Sequence, residues 1–372
     1  MISDWFRRHF SDPQVVILAV FLVVGFAVIL LFGDMLAPVL ASLVIAYMLE
    51  AMVRKFQSAG VPRFPAVLVV FLVFMFLLVA VIFGLLPLLS QQITQLVQEL
   101  PSIIGKGQAL LLQLPERYPN FISRAQVLEL MGGIRGEVAE FGQYALSLSL
   151  SSVVSLITVL VYVVLLPFLV FFFLKDKEKI FGWLRGYYPE SMELTSRVWV
   201  EVDRQIGNYV RGKFLEIAVV GVVTYITFAF LGMPFAMLLG VLVGLSVIVP
   251  YIGAAVVTVP VAAIAYFHWG WGSEFLWVMA AYGVIQGLDG NVLVPVLFSE
   301  VVDLHPIAII VAILVFGGLW GFWGVFFAIP LATLVQAVLR AWPRRPRQGT
   351  IAPEEARIES AAFGEERRKE SR

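Results

Sequence analysis

Long apolar runs are the feature that most constrains this chain, because a helix needs roughly 20 consecutive apolar residues to cross a bilayer. Of its 372 residues, 60% are hydrophobic and only 14% are charged, which is far from the composition of ordinary soluble domains. Inside a bilayer the backbone groups must bond within their own segment, so spanning runs of this kind are helical. The sequence therefore predicts an all-α polytopic membrane protein with about eight to ten hydrophobic helices.

Basic residues between the apolar runs set the expected orientation. The first three predicted spans cover residues 15–32, 35–52 and 64–89. The first two are separated by Gly33-Asp34, which we interpret as a tight turn without a basic residue, whereas Arg54, Lys55 and Arg63 follow the second span. Because basic loops stay in the cytoplasm, we expect the N-terminus and the loop after the second span to be cytoplasmic. An arginine cluster after residue 339 places the C-terminus on the same side.

The pattern of apolar and charged residues divides the chain into six expected units. Apolar residues recur at helical spacing at Ile93, Leu96, Val97 and Leu100, and again at Ile134, Val138, Phe141 and Ala145. This pattern predicts two outer amphipathic helices, which pack on the bundle or on a neighbouring subunit, or form a plain connector. The units are membrane helices (1–89), an outer amphipathic helical region (90–147), a membrane helix (148–174), a cytoplasmic loop with an interfacial helix (175–213), a membrane core with broken helices (214–341) and a disordered cytoplasmic tail (342–372).

Two long apolar stretches, 235–267 and 307–339, carry helix-breaking residues inside them. An unbroken helix of either length would overrun the bilayer, and proline removes a backbone donor and clashes with the preceding turn. Each stretch therefore predicts an interrupted helical pair, either two full spans or a re-entrant hairpin. The candidate break positions, here and in the segment between, are Pro250, Gly253, Pro260, Gly290, Pro295, Gly317, Gly318 and Pro330.

A polar segment, residues 286–306, lies between the two interrupted stretches. Ionisable groups at membrane depth are costly and usually line a cavity or pathway, and interrupted helices form the substrate and ion sites of secondary transporters. We therefore predict a transport pathway here. Its candidate residues are Gln286, Asp289, Asn291, Asp303, His305 and, within the fifth span, Glu216.

These candidate residues have structural alternatives. Asp289 and Asp303 fit a role as cation or proton carriers, and His305 fits a proton relay because it titrates near neutrality. Equally, the acidic residues fit helix caps, and His305-Pro306 fits the start of a helix with proline at its first position. Glu216 is spaced to pair with a basic residue, Lys213 or Arg211, one turn earlier.

Composition and motifs exclude several classes of function. The 26 Lys+Arg balance the 26 Asp+Glu, so no basic surplus indicates nucleic acid as a partner. The chain has no cysteine, which excludes disulfides and thiolate metal sites, and its three histidines are too scattered for a metal site. No phosphate-binding G-x-x-x-x-G-K-[ST] motif occurs. We expect a protein that is not an enzyme, uses no ATP and needs no metal or cofactor.

Five motifs follow one another in the second half of the chain. They are Leu231-Gly232-Met233-Pro234, Ile248-Val249-Pro250-Tyr251-Ile252-Gly253, Gln286-Gly287-Leu288-Asp289-Gly290-Asn291, Leu304-His305-Pro306 and Ala328-Ile329-Pro330. In this order they resemble the autoinducer-2 exporter family of PerM-like permeases. Two mild departures are Ala254, where many relatives have proline, and Asp289, where glutamate is common.

This resemblance implies a homo-oligomeric permease of the bacterial inner membrane. Some members of the family are linked to export of the furanone signal autoinducer-2 and others to sodium/proton antiport. Because a fold and its site can be reused, three readings stay open. They are efflux of a small polar solute, cation/proton antiport through Asp289, Asp303 and His305, and a non-transporting scaffold whose outer helices bind a partner.

Overall fold

The computed structural model describes residues 13–113, 153–186, 193–298 and 304–341, together with scattered positions between 115 and 140. Within these ranges every regular element is a helix and no strand occurs, which confirms the all-α fold. Six helices are long and apolar enough to cross a membrane, fewer than the number predicted, and the larger count is not confirmed. They cover Met35–Ser58, Arg63–Leu111, Asp203–Phe230, Ile252–Trp269, Ser273–Phe298 and Pro306–Phe326.

Within the described ranges, most consecutive helices are separated by only a few residues. In chain order they are α1 (Pro13–Ser58), α2 (Arg63–Ala80), α3 (Leu86–Leu111), α4 (Val153–Lys175), α5 (Lys177–Arg185), α6 (Glu193–Phe230), α7 (Ala236–Ser246), α8 (Ile252–Trp269), α9 (Ser273–Leu288), α10 (Val294–Phe298), α11 (Pro306–Phe326) and α12 (Ala328–Ala341). Two π-helical segments, Val81–Leu85 and Asp289–Leu293, join α2 to α3 and α9 to α10.

The predicted turn at Gly33-Asp34 is wrong, because α1 runs through it as one helix of 46 residues. A glycine inside a helix costs only about 1 kcal/mol, too little to end a helix that the residues on both sides favour. The fourth predicted span corresponds to α4. The interfacial helix and the fifth predicted span form one continuous helix, α6.

The first predicted outer amphipathic helix is α3, which continues the third span through a π-helical segment. Its apolar residues pack against the buried cluster formed by α6 to α9, so this helix is more than a connector. Gln92 accepts a hydrogen bond from the backbone N–H of Leu238 in the first turn of α7 (2.8 Å), and Lys106 donates to the carbonyl of Phe267 (3.2 Å). The second predicted outer helix, 134–145, lies outside the described residues apart from isolated positions.

Helices α6 and α7 approach so closely that their backbones touch. A Cβ on Gly240 would lie 3.0 Å from the Gly221 carbonyl oxygen, and one on Gly244 would lie 2.9 Å from the Gly221 Cα. Small residues such as Gly240 and Gly244 permit this kind of approach in membrane proteins. At the similar pair Gly283 and Gly287, no described atom lies within 4 Å of where a Cβ would be, so that pair forms no such contact.

The first interrupted stretch breaks where Pro250 predicted. Helix α7 ends at Ser246 and α8 begins at Ile252. A Cβ on Gly253 would overlap the carbonyl of Ser246, so this glycine lets the two helices meet. Pro260 is a wrong prediction, since it lies inside α8; membrane helices tolerate proline where neighbouring groups satisfy the freed backbone. At 11 residues, or about 16 Å, α7 alone is too short to cross a core of about 30 Å.

The second interrupted stretch breaks at a different place from the one predicted. Gly317 and Gly318 lie inside α11, and the chain departs from helical geometry at Gly321, with φ 56° and ψ −131°. Pro330 is also not a break, because it lies in the first turn of α12, where no intrahelical acceptor awaits its missing N–H. A Cβ on Gly324 would overlap the carbonyl of Phe316. Here a glycine allows the two arms of α11, before and after the kink at Gly321, to lie close together.

Candidate functional site

The segment from Asp289 to Leu293 is a π-helical turn within a helix that continues to Phe298. The N–H of Val294 bonds to the carbonyl of Asp289, five residues earlier. The predicted breaks at Gly290 and Pro295 are therefore wrong. The wider turn accommodates a proline whose ring would clash in a regular α-helix, and such turns occur often at functional sites.

A buried ion pair lies on α6 beside this turn. Lys213 Nζ is 2.6 Å from Glu216 Oε2, and the two side chains are only 4% and 2% exposed. This confirms the predicted pairing of Glu216 with Lys213. The other predicted partner, Arg211, donates instead to Asn208 Oδ1 at 2.7 Å.

The ammonium group of Lys213 also contacts the broken end of α7. It donates a hydrogen bond to the carbonyl of Val247 at 2.9 Å, immediately after α7 ends. It lies 5.1 Å from the ring centre of Phe298 and 6.0 Å from that of Tyr209, within the range of cation–π attraction. Lys213 thus joins α6 to the α7–α8 break and to α10.

Asp289 lies within electrostatic reach of both Lys213 and Glu216. Its Oδ1 atom is buried and has no hydrogen-bond partner among the described residues. The Nε2 atom of Gln286 is also buried and makes no hydrogen bond of good geometry, although its side chain approaches the Tyr282 hydroxyl. Gln286 lies three positions before Asp289 and therefore on the same face of the helix. The structure therefore brings three of the six candidate residues, Glu216, Asp289 and Gln286, to one region.

One face of α9 continues this polar region away from the π-helical turn. Tyr282 is one turn before Gln286, and its hydroxyl lies 3.0 Å from Thr258 Oγ1 and donates to the carbonyl of Ala254 at 3.2 Å. Tyr282, Gln286 and Asp289 follow the i, i+4, i+7 spacing of one helix face. We refer to these three residues as the α9 polar stripe. It faces α8 through Thr258 and α6 through Asp289.

The remaining candidate residues lie elsewhere. Asn291 is exposed and donates to the carbonyl of Gly287 in its own helix (2.8 Å). His305 is exposed and caps α11, where its Nδ1 accepts from the N–H of Ile307 (3.2 Å) and Pro306 occupies the first turn, so the helix-start alternative is confirmed for this pair. Asp303 lies outside the described residues.

A second buried carboxylate, Glu50, has a structural role. It is only 5% exposed. Its oxygens lie 3.3 Å from Arg63, 3.1 Å from Lys177 and 3.6 Å from Arg54, and Arg63 also donates to the carbonyl of Leu174 at 2.8 Å. The cluster ties together the ends of α1, α2 and α4, and surrounds Glu50 with cations.

Sequence reasoning did not select Lys213 as a site residue, although it selected Glu216. The signal was present, since a lysine three residues before a glutamate in an apolar run predicts a buried pair. The described residues contain no group of three or more His, Cys, Asp or Glu side chains able to hold a metal ion.

Comparison with known proteins gives consistent matches along most of the chain. Residues 18–344 match the family described as AI-2E family transporter. The chain is 46% identical over 354 residues to "Putative permease PerM" of Escherichia coli strain K12, covering 95% of this chain and 99% of that protein. It is 26% identical over 306 residues to "Putative transport protein YrrI" of Bacillus subtilis strain 168, covering 81% and 85%. A transport protein of Thermotoga maritima is 20% identical over 341 residues, covering 91% and 97%.

Proposed function

Because this chain belongs to the AI-2E transporter family, we propose that it is a secondary permease that exports a small polar solute such as autoinducer-2 along the α9 polar stripe. The family and the six apolar helices make it a multi-pass membrane transporter rather than an enzyme. The bacterial inner membrane is its expected location. Solute export, the residues involved, ion coupling and homo-oligomeric assembly belong to the proposal.

The observation that carries this proposal is the buried Oδ1 atom of Asp289, which has no partner among the described residues, with the poorly bonded Nε2 atom of Gln286 one turn earlier on the same helix. Leaving a buried donor or acceptor unsatisfied costs roughly 1–3 kcal/mol, so such atoms in a native fold call for an explanation. A hydroxyl-rich solute supplies both donors and acceptors. We propose that its hydroxyl groups bond to these two atoms as it passes, with Glu216 and Lys213 forming the charged end of the pathway.

A second candidate function is cation/proton antiport through Asp289. The observation that favours it is the position of this carboxylate beside the buried ion pair of Lys213 and Glu216. A carboxylate oxygen without a partner can take up a proton or a small monovalent cation. In this reading the α9 polar stripe conducts ions, and Asn291 and His305 remain helix-stabilising residues.

Flux measurements in proteoliposomes distinguish these functions. Purified full-length protein is reconstituted with a pH-sensitive dye, and efflux of labelled autoinducer-2 is followed with and without a sodium gradient. The permease is supported if the protein transports the solute and if Gln286→Ala and Asp289→Asn each reduce this flux at least about tenfold. Glu274→Gln, on the exposed start of α9, is the control and is expected to leave the flux unchanged. Sodium-evoked proton movement without solute flux supports the antiporter. Absence of both fluxes contradicts the proposal and leaves a scaffold.

A further inference from the structure

The buried charges beside the π-helical turn do not balance. Lys213 contributes one positive charge, whereas Glu216 and Asp289 contribute two negative charges when both are ionised. Lys213 and Glu216 are almost completely buried, and Asp289 has a buried oxygen without a partner among the described residues. A net charge in such an environment is strongly disfavoured, and a buried carboxylate without a counter-ion takes up a proton instead.

Lys213 cannot neutralise both carboxylates at once. One of its N–H groups faces Glu216 Oε2 and another donates to the carbonyl of Val247. The rings of Phe298 and Tyr209 cover the remaining side of the ammonium group. Asp289 interacts with this lysine only at longer range and has no ion-pair partner within 4 Å among the described side chains.

We infer that the Lys213–Glu216–Asp289 triad holds a single exchangeable proton, carried by Asp289 as a neutral carboxylic acid while Lys213 is bonded to Glu216 and to the carbonyl of Val247. This inference rests on the proposed function, because it names the coupling ion at that site. Among the described residues, the Tyr209 hydroxyl is another titratable group beside the triad; it is buried, has no described partner and lies within electrostatic reach of Glu216. Gln286 is the nearest neutral group on α9.

Loss of the proton provides a link to the α7–α8 pair. When the Asp289 carboxyl releases its proton to water in the pathway, a second carboxylate competes for the ammonium group. Lys213 then turns from the carbonyl of Val247 towards Asp289, so that its ammonium group is shared between the two carboxylates and the end of α7 is freed. Because Val247 lies at the break between α7 and α8, the charge of Asp289 controls how firmly that break is held to α6.

Infrared spectroscopy tests the proton directly. Full-length protein in phospholipid nanodiscs at neutral pH is expected to show the carbonyl stretch of a protonated carboxyl group, shifted by exchange into D2O. Asp289→Asn removes this band. Glu216→Gln also removes it, because Lys213 and an ionised Asp289 then balance each other. Lys213→Met increases the band about twofold, since both carboxyls become protonated. Glu274→Gln is the control and leaves it unchanged.

The outcomes separate this inference from its alternatives. A wild-type band that survives Glu216→Gln shows that Asp289 is protonated through burial alone and overturns the shared charge balance. Absence of a band that depends on Asp289 overturns the inference as a whole. If Lys213→Met does not fold, the two carboxyl variants still decide the question. No substrate is used, so the result is independent of the flux assay, which can fail or succeed separately.

Hydrogen exchange tests the link to α7. Amides of residues 249 and 251–253 in wild-type protein are compared with those of Asp289→Asn at each pH, so that the intrinsic exchange rate cancels. The ratio of wild-type to variant exchange is expected to rise with pH as Asp289 ionises and Lys213 leaves Val247. A ratio that stays constant across pH contradicts the link while leaving the proton assignment intact.

Discussion

Two glycines allow the backbone to approach itself closely at the two interruptions. A Cβ on Gly253 would overlap the carbonyl of Ser246, and one on Gly324 would overlap the carbonyl of Phe316. In each case the obstacle is backbone, which cannot rotate away as the tip of a side chain can. At each interruption the close approach therefore requires a residue without a Cβ atom.

Replacing Gly253 by alanine is expected to destabilise the protein by at least about 3 kcal/mol, because the added methyl group forces α7 and α8 apart. Thermal unfolding in detergent and the yield of monodisperse protein measure this. Gly287→Ala is the matched control, since no described atom lies within 4 Å of where its Cβ would be and alanine favours helix by up to about 1 kcal/mol. Equal effects of the two substitutions would contradict the close approach.

Glu50 offers a second comparison at the residue scale. Glu50→Gln is expected to cost about 2 kcal/mol, because Arg63 and Lys177 lose their buried counter-ion while remaining partly solvated. Glu178→Gln removes a carboxylate that lies 4.0 Å from the same arginine but is 83% exposed, so its cost is expected to stay below about 0.5 kcal/mol. Unfolding midpoints of both variants check the order, and a reversed order would refute the structural role of Glu50.

The helix formed by α9, the π-helical turn and α10 is the element on which the candidate site depends. Its extra width at Asp289–Leu293 follows from one inserted residue, which turns the flanking faces without breaking the helix. Asp289 therefore lies beside Lys213 while the helix still continues to Phe298. A regular α-helix through the same residues would present a different face to α6.

Deleting Gly290 together with Pro295→Ala is expected to restore a regular α-helix across this turn. The flanking helices keep their packing, so the fold is expected to survive, with circular dichroism and thermal unfolding close to wild type. Transport is expected to fall at least about tenfold, since the Asp289 carboxyl is moved away from Lys213 and Glu216. Full transport by a folded variant would show that the π-helical turn has no part in function.

The sequence predicted helix positions better than helix interruptions. Pro250 correctly marked the first break, because irregular backbone surrounds it between α7 and α8. Gly290 and Pro295 were misread, since neither residue type reveals whether a helix ends or merely widens. The Lys213–Glu216 pair followed from spacing along one helix. The approach of Asp289 to that pair did not, because it depends on how α9 packs against α6.

At the scale of the whole molecule, orientation in the membrane follows from the basic loops and stays a prediction. The chain has no cysteine, so a single engineered cysteine is its only thiol. Trp271→Cys, in the exposed connection between α8 and α9, is expected to react with an impermeant maleimide on intact spheroplasts. Ala59→Cys, between α1 and α2, is expected to react only after permeabilisation. The opposite pattern would invert the predicted orientation, and unmodified protein gives the background.

The contact between α6 and α7 has a mechanical consequence. Side chains between two helices can rearrange and so allow the helices to move relative to each other. At Gly221, Gly240 and Gly244 no side chains separate the backbones, so α6 and α7 must move as one rigid body. With 38 residues, α6 is about 57 Å long. A tilt of roughly 5° about one end of α6 moves its other end by about 5 Å. The Tyr47 hydroxyl of α1 lies 2.8 Å from Asp203 Oδ1 of α6, so this contact would transmit the displacement to α1.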